Sequence, residues 1–461
     1  GTETLTLSGT GSVTDANVDP NKTVTVGTLA LGDGTGLAAN YTLSGGTHQL
    51  TINQRPLNAT LSRQYDGTAT SAGSTLSSFD ALQGGETLTM SGSGTAASVN
   101  VANGIAMSSN GDLGLVDGTG LASNYSLNST VINITQRVLN SSGSKTYDAN
   151  TDALAADITL SNLVSGETLT HSGTATLSSA NAGSYTISNL TGISLADNAG
   201  LASNYTLTGG THNFTVNQKA ISVSGTRLYD ATTNAVASDL TTISGRVGTE
   251  TLTLSGTGSV TDANVASNKT VTVGTLALGD GTGLAANYTL SGGTHQLTIN
   301  QRPLNATLSR QYDGTATSAG SDFSSFDALQ GGETLFLSGT GTVTNKNVSS
   351  SQSVTLGSLA LDDTSATGLV SNYTLNSAIL NITQRPISTV YLTKLYDAST
   401  VVQAADLQTM TNLVGGESLT LTGTSSIANA NVGVKTVNTG GFTLNDEVGA
   451  NASSGGLASN Y

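Results

Sequence analysis

Four histidines, 30 acidic residues and 13 tyrosines are the side chains of this 461-residue sequence that could do chemistry. His48, His212 and His295 share a recurring Gly-Gly-Thr-His segment, and His171 stands apart. A catalytic or metal-binding imidazole needs carboxylate or imidazole partners at fixed positions. The sequence pairs none of the four with such partners, and it contains no Ser-His-Asp arrangement, phosphate loop or paired carboxylates. We therefore predict no catalytic residue and no enzymatic activity.

A recurring Gly-Asp-Gly-Thr-Gly segment suggests a bound cation. Asp33 and Asp280 lie in two copies of it. The segment lacks the ordered acidic residues and the distant glutamate of an EF-hand loop. Aspartate beside glycine is also typical of tight turns. We expect turns here and no cofactor, with calcium left open as an alternative.

The composition restricts the class of protein. A formal net charge of −15 opposes nucleic acid and anionic membranes as partners. The absence of cysteine excludes disulfides and zinc–sulfur sites. Only 10% of the residues are charged and β-forming residues are spread evenly, which predicts a folded all-β chain. The sequence has no long apolar run, so we expect no membrane insertion in this segment. Because the pattern starts and stops midway, we expect a segment of a longer protein.

Three short markers recur together with a period of about 82 residues, the signature of a repeat architecture. The tyrosines of the Tyr-Asp marker are Tyr65, Tyr147, Tyr229, Tyr312 and Tyr396. The glutamates that follow a glycine-rich turn are Glu86, Glu167, Glu250, Glu333 and Glu417, with Glu3 before them. The tyrosines of the Asn-Tyr marker are Tyr41, Tyr125, Tyr205, Tyr288 and Tyr373, with Tyr461 after them. We interpret these residues as structural markers of the repeat.

A longer duplication overlies this period. Residues 1–74 and 248–321 differ only at Asp19/Ala266 and Pro20/Ser267. The offset corresponds to three repeats, so recent duplication of a three-repeat block explains the identity.

One repeat has the pattern of several short strands. Leu57, Ala59 and Leu61 alternate with polar residues, the period of a half-buried strand. The segment after Asn-Tyr has two runs around Gly45-Gly46, which predicts a hairpin. A period near 82 residues exceeds one coil of a solenoid and fits a whole domain. We predict an all-β fold, a linear tandem array of small β-sandwich (Ig-like) domains.

The markers divide the chain into six repeats without linkers between them. Short connections restrict the motion of neighbouring domains, so we expect a semi-rigid array. The predicted boundaries, named repeat 1 to repeat 6 in order, are 1–56 (the C-terminal part of a repeat), 57–138, 139–220, 221–303, 304–386 and 387–461 (incomplete).

Eleven of the 13 tyrosines occupy the two tyrosine markers. We interpret them as core anchors, each with its ring buried and its hydroxyl bonded to the backbone. The alternative is an aromatic platform on which sugars stack.

Two positions hold most of the basic residues. Those two places before the Tyr of Tyr-Asp are Arg63, Lys145, Arg227, Arg310 and Lys394. Those after the glutamine at each boundary are Arg55, Arg137, Lys219, Arg302 and Arg385. Our hypothesis is that the Arg63-type residue reaches a carboxylate of its own repeat, for which the Glu86-type residue is a candidate. The alternative is a snorkelling side chain without a fixed partner. Three of the five residues before Tyr-Asp are arginine, which cannot form a lysine–asparagine isopeptide bond. We therefore expect no such bonds.

Repeat 6 has one residue more than the others before its Tyr-Asp marker. Ile387 and Tyr396 are nine residues apart, whereas Leu57 and Tyr65 are eight apart. We therefore predict a bulge in its first strand, near Tyr391–Lys394.

The segments KTYDANTDA, RQYDGTATSAG, LVGGESLTLTG and GLASNYTL followed by ITQRPI resemble the YDG-type repeat domains of large bacterial surface proteins. Filamentous-haemagglutinin-like adhesins are among those proteins, and the related MBG-type domains share the Asn-Tyr ending. Tyr-Asp-Gly itself is kept only at Tyr65 and Tyr312, with alanine third at Ala149, Ala231 and Ala398. The resemblance implies an extracellular or cell-surface bacterial region used in adhesion, biofilm or fibre formation, without catalytic residues.

Two classes of function remain open from the sequence. The repeats could form a structural stalk or a self-assembled surface filament, with other copies of the chain as partners. Alternatively, each repeat could bind a host or matrix glycan or a protein weakly, and the array would supply avidity.

Overall fold

The computed structural model describes residues 1–187, 189–447 and 456–461. The chain forms two compact units, Gly1–Gln218 and Lys219–Tyr461. The described residues form β-strands joined by turns and three-residue 3-10 helices, which confirms the predicted all-β fold of tandem repeats. Within these ranges, no helix is long and apolar enough to cross a membrane.

The strands of the first unit follow the repeats. Those of repeat 1 are β1 (Leu5–Ser8), β2 (Asp19–Thr23), β3 (Ala30–Asp33) and β4 (Gln49–Ile52). Those that build repeat 2 are β5 (Arg55–Gln64), β6 (Thr70–Ala72), β7 (Leu76–Phe79), β8 (Leu88–Ser91), β9 (Ser93–Ala96), β10 (Ala102–Ser109), β11 (Gly114–Asp117) and β12 (Tyr125–Thr135). Those that build repeat 3 are β13 (Arg137–Val138), β14 (Asn140–Thr146), β15 (Asp152–Leu154), β16 (Ile158–Ser161), β17 (Thr170–Thr176), β18 (Gly183–Thr186), β19 (Ile193–Ala196), β20 (Tyr205–Thr206) and β21 (His212–Asn217).

The second unit repeats this order. Repeat 4 is built by β22 (Lys219–Ala220), β23 (Ser222–Leu228), β24 (Asn234–Val236), β25 (Thr242–Ser244), β26 (Leu252–Ser255), β27 (Thr257–Ser259), β28 (Ala266–Thr270), β29 (Ala277–Asp280), β30 (Tyr288–Thr289) and β31 (Gln296–Asn300). Repeat 5 is built by β32 (Arg302–Gln311), β33 (Thr317–Ala319), β34 (Phe323–Phe326), β35 (Phe336–Ser338), β36 (Thr340–Thr342), β37 (Ser349–Ser353), β38 (Ala360–Asp362) and β39 (Tyr373–Thr383). Repeat 6 is built by β40 (Thr389–Leu392), β41 (Val401–Gln403), β42 (Leu407–Thr411), β43 (Leu419–Ser426) and β44 (Phe442–Asp446).

Short 3-10 helices precede the Asn-Tyr tyrosines. Six of them end on the asparagine of that marker, namely Ala38–Asn40, Ala122–Asn124, Ala202–Asn204, Ala285–Asn287, Val370–Asn372 and Ala458–Asn460. The others are Gly73–Thr75, Ala155–Asp157, Ala237–Asp239, Gly320–Asp322, Ala404–Asp406 and Thr439–Gly441. The Asp33 carboxylate accepts the N–H of Ala38 at 2.7 Å, and Asp280 accepts that of Ala285 at 2.7 Å. Both aspartates of the Gly-Asp-Gly-Thr-Gly segment therefore hold a turn.

Repeat 2 shows how the alternating pattern builds the core. Leu57, Ala59 and Leu61 lie on one face of β5 and are at most 1% exposed. In the main sheet, the order is β7-β5-β12-β10, and β5 and β12 are parallel neighbours. The sheet continues from β10 through β9 to β6, whereas β8 and β11 form a separate two-stranded sheet. Leu61 and Ile132 of the six-stranded sheet share one buried core with Met90 of β8.

The parallel pair joins the first and last strands of a repeat. We call these the opening strand (β5, β13–β14, β22–β23, β32 and β40) and the closing strand (β4, β12, β20–β21, β30–β31 and β39). Opening and closing strands pair in parallel in repeats 2 to 5.

The hairpin predicted at the Gly-Gly segment is wrong. In repeat 3, β20 and β21 both run parallel to the opening strand, and Gly209-Gly210 lies between them. Tyr205 pairs with Arg137, and His212 pairs with Ser141. The glycines therefore form a loop within one interrupted closing strand. In repeats 2 and 5, which lack these glycines, β12 and β39 run without interruption for 11 residues.

The bulge predicted in the opening strand of repeat 6 is misplaced. The register of β40 against β42 does shift between Tyr391 and Leu392, but the unpaired residue is Gln408 of β42. Repeats 2 and 5 have the same shift, so it does not come from the additional residue. That residue lies between Arg385 and Thr389, before β40 begins.

Candidate functional site at the junctions between repeats

Tyr65 directly follows the opening strand of repeat 2, and a tight turn comes after it. Its backbone N–H donates to the carbonyl of Thr135 at 2.9 Å. The Asp66 carboxylate accepts the N–H of Thr68 at 2.9 Å. Gly67 has a φ of 77°, a conformation that favours glycine. The Tyr65 ring is buried, with 3% exposure.

The same turn persists where alanine replaces this glycine. Ala149, Ala231 and Ala398 have φ values of 65°, 62° and 58°. Such a conformation costs an L-residue roughly 1–2 kcal/mol. The Asp148 carboxylate still accepts the N–H of Asn150, at 3.1 Å. The aspartate of Tyr-Asp therefore holds the turn without glycine.

The hypothesis that Arg63 reaches a carboxylate of its own repeat is confirmed, but the partner is Asp66 and not the candidate Glu86. Arg63 forms an ion pair with Asp66, and its Nη2 donates to the carbonyl of Thr68 at 2.5 Å. Lys145 pairs in the same way with Asp148, at 2.9 Å. A partner three residues away is closer than one in another strand, because the turn folds back over the end of the opening strand. The basic residue therefore stabilises the Tyr-Asp turn.

Glu167 of repeat 3 receives hydroxyl groups from two repeats. Tyr205 of the same repeat donates to its Oε2 at 2.6 Å, and Tyr65 of repeat 2 donates to its Oε1. The two rings meet edge to face, with centroids 5.5 Å apart and planes at 81°. The N–H of Val164 donates to the Tyr205 hydroxyl at 3.1 Å. Hydrogen bonds to a carboxylate are stronger than neutral ones, so this triad joins the two repeats.

The second unit contains two further triads. In the first, the Tyr373 hydroxyl lies 2.5 Å from the Glu333 carboxylate. In the second, the Tyr461 hydroxyl lies 2.7 Å from the Glu417 carboxylate. Ring centroids are 5.2 Å and 5.6 Å apart. Written as earlier tyrosine, glutamate and later tyrosine, the triads are Tyr229–Glu333–Tyr373 and Tyr312–Glu417–Tyr461. The junctions between repeats 4 and 5 and between repeats 5 and 6 therefore have the same chemistry.

A buried asparagine lies beside each triad. Asn204 is 1% exposed, and its Oδ1 accepts the N–H of Val101 in repeat 2 at 2.9 Å. Its Nδ2 donates to Oδ1 of Asn100 at 3.0 Å. Asn372 and Asn460 make the corresponding bonds with the repeats before them. Both ends of each amide are satisfied, so the asparagine of Asn-Tyr fixes the orientation of the contact.

An arginine at the repeat boundary completes the junction. Arg137 donates from Nε to the carbonyl of Asn162 at 2.6 Å and from Nη2 to its Oδ1 at 2.8 Å. Its Nη1 also donates to the carbonyl of Tyr65 at 3.4 Å. Arg385 contacts Asn412 and Tyr312 in the same way. These arginines therefore tie the last turn of one repeat to a loop of the next.

The other markers occupy equivalent places in their repeats. Glu86 accepts the hydroxyl of Tyr125 at 2.5 Å, and Glu3 accepts that of Tyr41 at 2.8 Å. Tyr288 bonds to Glu250, and the rings of Tyr147 and Tyr288 are buried. In contrast, Tyr41 is 50% exposed and Tyr396 is 67% exposed.

The core-anchor interpretation describes the buried rings but misses the partner of the hydroxyl. The hydroxyl of Tyr65 bonds to a carboxylate 102 residues away, in the next repeat. The signal available in the sequence is the nearly constant interval, 102 to 105 residues in the three triads, between a Tyr-Asp tyrosine and the second glutamate marker after it. Nothing in the sequence indicated that Asn204 bonds to Asn100, because only the Asn-Tyr dipeptide marked Asn204.

His212 and His295 contact the Gly-Gly loops of their repeats. The Nε2 atoms of His212 and His295 lie 2.7 Å and 2.8 Å from the carbonyls of Leu207 and Leu290, across the Gly-Gly loop. His212 is 5% exposed and His295 is 6% exposed. Among the residues that the structure describes, no group of three His, Asp or Glu side chains could hold a metal ion.

The triads keep their phenols protonated. Burial and then the bond to Glu167 raise the pKa of Tyr205 from 10.0 to about 12, and the same causes raise the pKa of Tyr65. Burial and the bond to Glu333 raise the pKa of Tyr229 to about 12. At neutral pH each phenol is therefore a hydrogen-bond donor to the carboxylate.

Strong alkali is expected to open the junctions. The unfolded chain loses its phenolic protons near pH 10. The folded phenols retain theirs until the pH passes their raised pKa, about 12 for Tyr205. The contribution of these phenols to the stability of the junction is therefore complete below pH 10. It falls as the pH rises through 12, because the folded state binds more protons than the unfolded state in that window. Hydrogen exchange after brief alkaline incubation should report opening at the junctions. A Tyr205→Phe variant should open with a weaker pH dependence, and an unchanged profile would contradict this assignment.

These features define a tandem β-repeat protein in which tyrosine–glutamate triads join repeats 2 and 3, repeats 4 and 5, and repeats 5 and 6. The family model described as the YDG domain matches five successive stretches, namely residues 46–132, 133–214, 212–297, 294–379 and 382–461. The chain therefore belongs to the YDG domain family, as the resemblance of its markers indicated. No curated protein matches the chain.

Proposed function

We propose that this chain is a structural repeat region of an extracellular bacterial adhesin and that it forms a stalk or a self-assembled surface filament. The parallel pairing of opening and closing strands carries the proposal. In repeat 2 the chain enters through β5 and leaves through β12. Their ladder runs from the pair Arg55 and Tyr125 to the pair Gln64 and Thr135.

This pairing determines how a repeat responds to tension. The chain enters at Arg55 and leaves at Thr135, which lie at opposite ends of the ladder. Tension along the chain therefore slides β5 against β12 and loads their hydrogen bonds together. If both ends lay at one edge, the bonds would break one at a time. The same parallel pairing occurs in repeats 3, 4 and 5, which suits domains that transmit force in series.

The junctions support the same function. A stalk needs neighbouring repeats that resist rotation, and each triad joins two repeats through a carboxylate, two rings and a buried asparagine. Glu167, Tyr205 and Asn204 lie in one repeat and contact residues of the repeat before it. A direct connection between domains also limits their relative motion.

Glycan or protein binding by avidity is the alternative function. The rings of Tyr65, Tyr205 and Tyr229 are at most 3% exposed, so they offer no platform for stacking a sugar. A glycan array probed with the 461-residue chain separates the two functions. The stalk predicts no binding above background, whereas binding shared by several repeats would support the alternative. Electron microscopy of the native chain then distinguishes single stalks from filaments.

Force spectroscopy tests the mechanical proposal. The chain has no cysteine, so introduced cysteines provide unique attachment points. Pulling from the two ends of the chain should give successive unfolding events. Each should release the extended length of 82 residues, roughly 270–295 Å at 3.3–3.6 Å per residue, less the length that the folded repeat already spans.

A change of pulling direction provides the control. Cysteines at Gln64 and Thr135, which are paired at one end of the ladder, should unzip repeat 2. We expect this direction to unfold repeat 2 at a clearly lower force than pulling along the chain. Equal forces in the two directions would show that the parallel pair does not determine the resistance.

A further inference from the structure

Two loops of successive repeats meet at the junctions, and their shapes are matched. We call the residue after Tyr-Asp the turn residue of a repeat. We call the first two residues of the glycine-rich turn before the marker glutamate the loop pair. The N–H of its first residue bonds to the hydroxyl of the Asn-Tyr tyrosine. In repeats 3 to 6 the loop pairs are Val164-Ser165, Val247-Gly248, Gln330-Gly331 and Val414-Gly415.

Glycine is the turn residue at two junctions, and valine of the next repeat occupies the space beside it. A Cβ atom at Gly67 would lie 2.7 Å from Cγ1 of Val164. A Cβ atom at Gly314 would lie 2.6 Å from Cγ1 of Val414. Val164 also packs against the core that contains Tyr65, so it cannot move aside without losing contacts. A methyl group on either turn residue would therefore clash with the valine.

Alanine is the turn residue at the junction between repeats 4 and 5, and there the loop pair leaves room for it. A Cβ atom at Gly331 would lie 2.9 Å from the Cβ of Ala231. Gln330 directs its side chain to its own loop, where Nε2 donates to the carbonyl of Ala328 at 3.0 Å. The absence of a side chain at position 331 therefore accommodates the methyl group of the alanine.

The backbone of the loop pair also differs between the two kinds of junction. Gly331 has a φ of 61°, whereas Ser165 and Gly415 do not have a positive φ. Gly248 has a φ of 53°, and its repeat follows one whose turn residue is Ala149. The loop pair of repeat 4 begins with valine, so the backbone and not valine alone distinguishes the two kinds. Alanine as turn residue is thus followed along the chain by a loop pair that ends in glycine with a positive φ.

We propose that the turn residue and the loop pair determine which repeat can follow which in this array. A repeat with a glycine turn residue accepts a repeat whose loop pair lacks a positive φ, as Val-Ser does. A repeat with an alanine turn residue accepts one whose loop pair ends in glycine with a positive φ. Alanine beside Val-Ser would produce a clash, and glycine beside the other kind of loop would leave a void.

A mismatch would reach the triad through the loop. The N–H of Glu167 donates to the carbonyl of Val164 at 3.0 Å, so a displaced valine moves the carboxylate that joins the two repeats. Glu333 and Glu417 bond in the same way to Gln330 and Val414 of their own loops, at 2.9 Å. The shape of the loop therefore controls the strength of the junction.

This inference goes beyond the proposed stalk, which needs joined repeats but no particular order. Specificity of this kind depends on a clash with the wrong neighbour as well as on contact with the right one. The resistance of a repeat to force depends on the ladder within it. Failure of the stalk proposal and failure of this inference can therefore be distinguished.

A transplanted loop in the 461-residue chain tests the proposal. Gln330→Val with Gly331→Ser gives repeat 5 the loop pair of repeat 3 and places it beside Ala231. The reporter is the amide of Val265 in repeat 4, which bonds to Asn372 of repeat 5 at 2.9 Å. We expect its protection from hydrogen exchange to fall at least about tenfold, because the junction opens more often.

Restoring the match should restore the junction. Adding Ala231→Gly reproduces both sides of the junction between repeats 2 and 3, and the protection of Val265 should return to within about threefold of that in the unsubstituted chain. Ala231→Gly alone is the control and should lower protection less than the transplanted loop, because it leaves a void without a clash. If the transplanted loop unfolded repeat 5, with loss of protection between β32 and β39, rescue by Ala231→Gly would still decide.

Gly67→Ala is the reciprocal test at the junction between repeats 2 and 3. It should lower the protection of Val101, whose N–H bonds to Asn204 across the junction. Val164→Ala should raise protection in this variant, although it lowers protection in the unsubstituted chain. The backbone strain of alanine at a φ of 77° is the same with and without Val164→Ala, so the reversal isolates the contact. Additive effects, or a transplanted loop that weakens nothing or is not rescued, would overturn the proposal.

Discussion

Replacing Tyr65 with alanine is expected to weaken the junction between repeats 2 and 3 by about 3–5 kcal/mol, the range for truncation of a buried aromatic side chain. The ring is 3% exposed and packs edge to face on Tyr205. Its removal leaves a cavity beside Tyr205 and takes one of the two hydroxyl donors from Glu167. Because one unfolding free energy is poorly defined for a chain of several domains, local hydrogen exchange is the suitable measurement.

The expected change in exchange is confined to the junction. Amides at Val101 and Val164, whose N–H groups bond to Asn204 and Tyr205, should exchange faster. The ladder between β5 and β12 should retain most of its protection, because its core residues Leu61 and Ile132 do not change.

Tyr396→Ala is the matched control for this prediction. Tyr396 occupies the same marker position, but 67% of it is exposed. An exposed substitution usually changes stability by less than about 0.5 kcal/mol. If the two variants lost equal stability, burial at the junction would not be the cause.

Glu167→Gln is expected to weaken the same junction by about 2–3 kcal/mol, the upper range for hydrogen bonds to charged groups. Glu167 accepts hydroxyl groups from Tyr65 and Tyr205 on its two oxygens. Glutamine keeps one oxygen and presents an amide NH₂ in place of the other. One buried phenol therefore loses its acceptor, and the remaining bond loses its charge. Faster exchange at Val164, without change in the core of repeat 2, would report this loss.

Glu86→Gln separates the effect of two donors from that of one. Among the described contacts, Glu86 accepts a single hydroxyl, that of Tyr125. The glutamine oxygen can still accept this bond, so we expect a loss of only about 1 kcal/mol, near the mean for a neutral hydrogen bond. Equal losses for the two substitutions would contradict a triad that depends on both carboxylate oxygens.

Local sequence patterns were sufficient to predict the strands and the repeat period. Leu57, Ala59 and Leu61 share one face because side chains alternate along any strand, whatever the strand pairs with. The interval between markers revealed a domain-sized repeat without a structure. Asp33 and Asp280 likewise indicated turns, since the preference of aspartate beside glycine acts within a few residues.

Contacts between distant residues could not be derived in this way. The Gly-Gly segment has the local pattern of a hairpin, yet it is a loop in a closing strand, because both flanking strands pair with an opening strand about 70 residues earlier. From the sequence alone, Arg63 could pair with any nearby carboxylate. It pairs with Asp66 because that residue is only three positions away along the chain.

The sequence alone determined an all-β chain of tandem repeats, their markers and their family resemblance. The tertiary structure decided that Tyr65 and Glu167 of successive repeats meet and that opening and closing strands are parallel. Residues 40–53 and 287–300 show the physical reason. They have the same sequence, yet Leu50 is 45% exposed and Leu297 is buried, because burial depends on the strand that lies alongside.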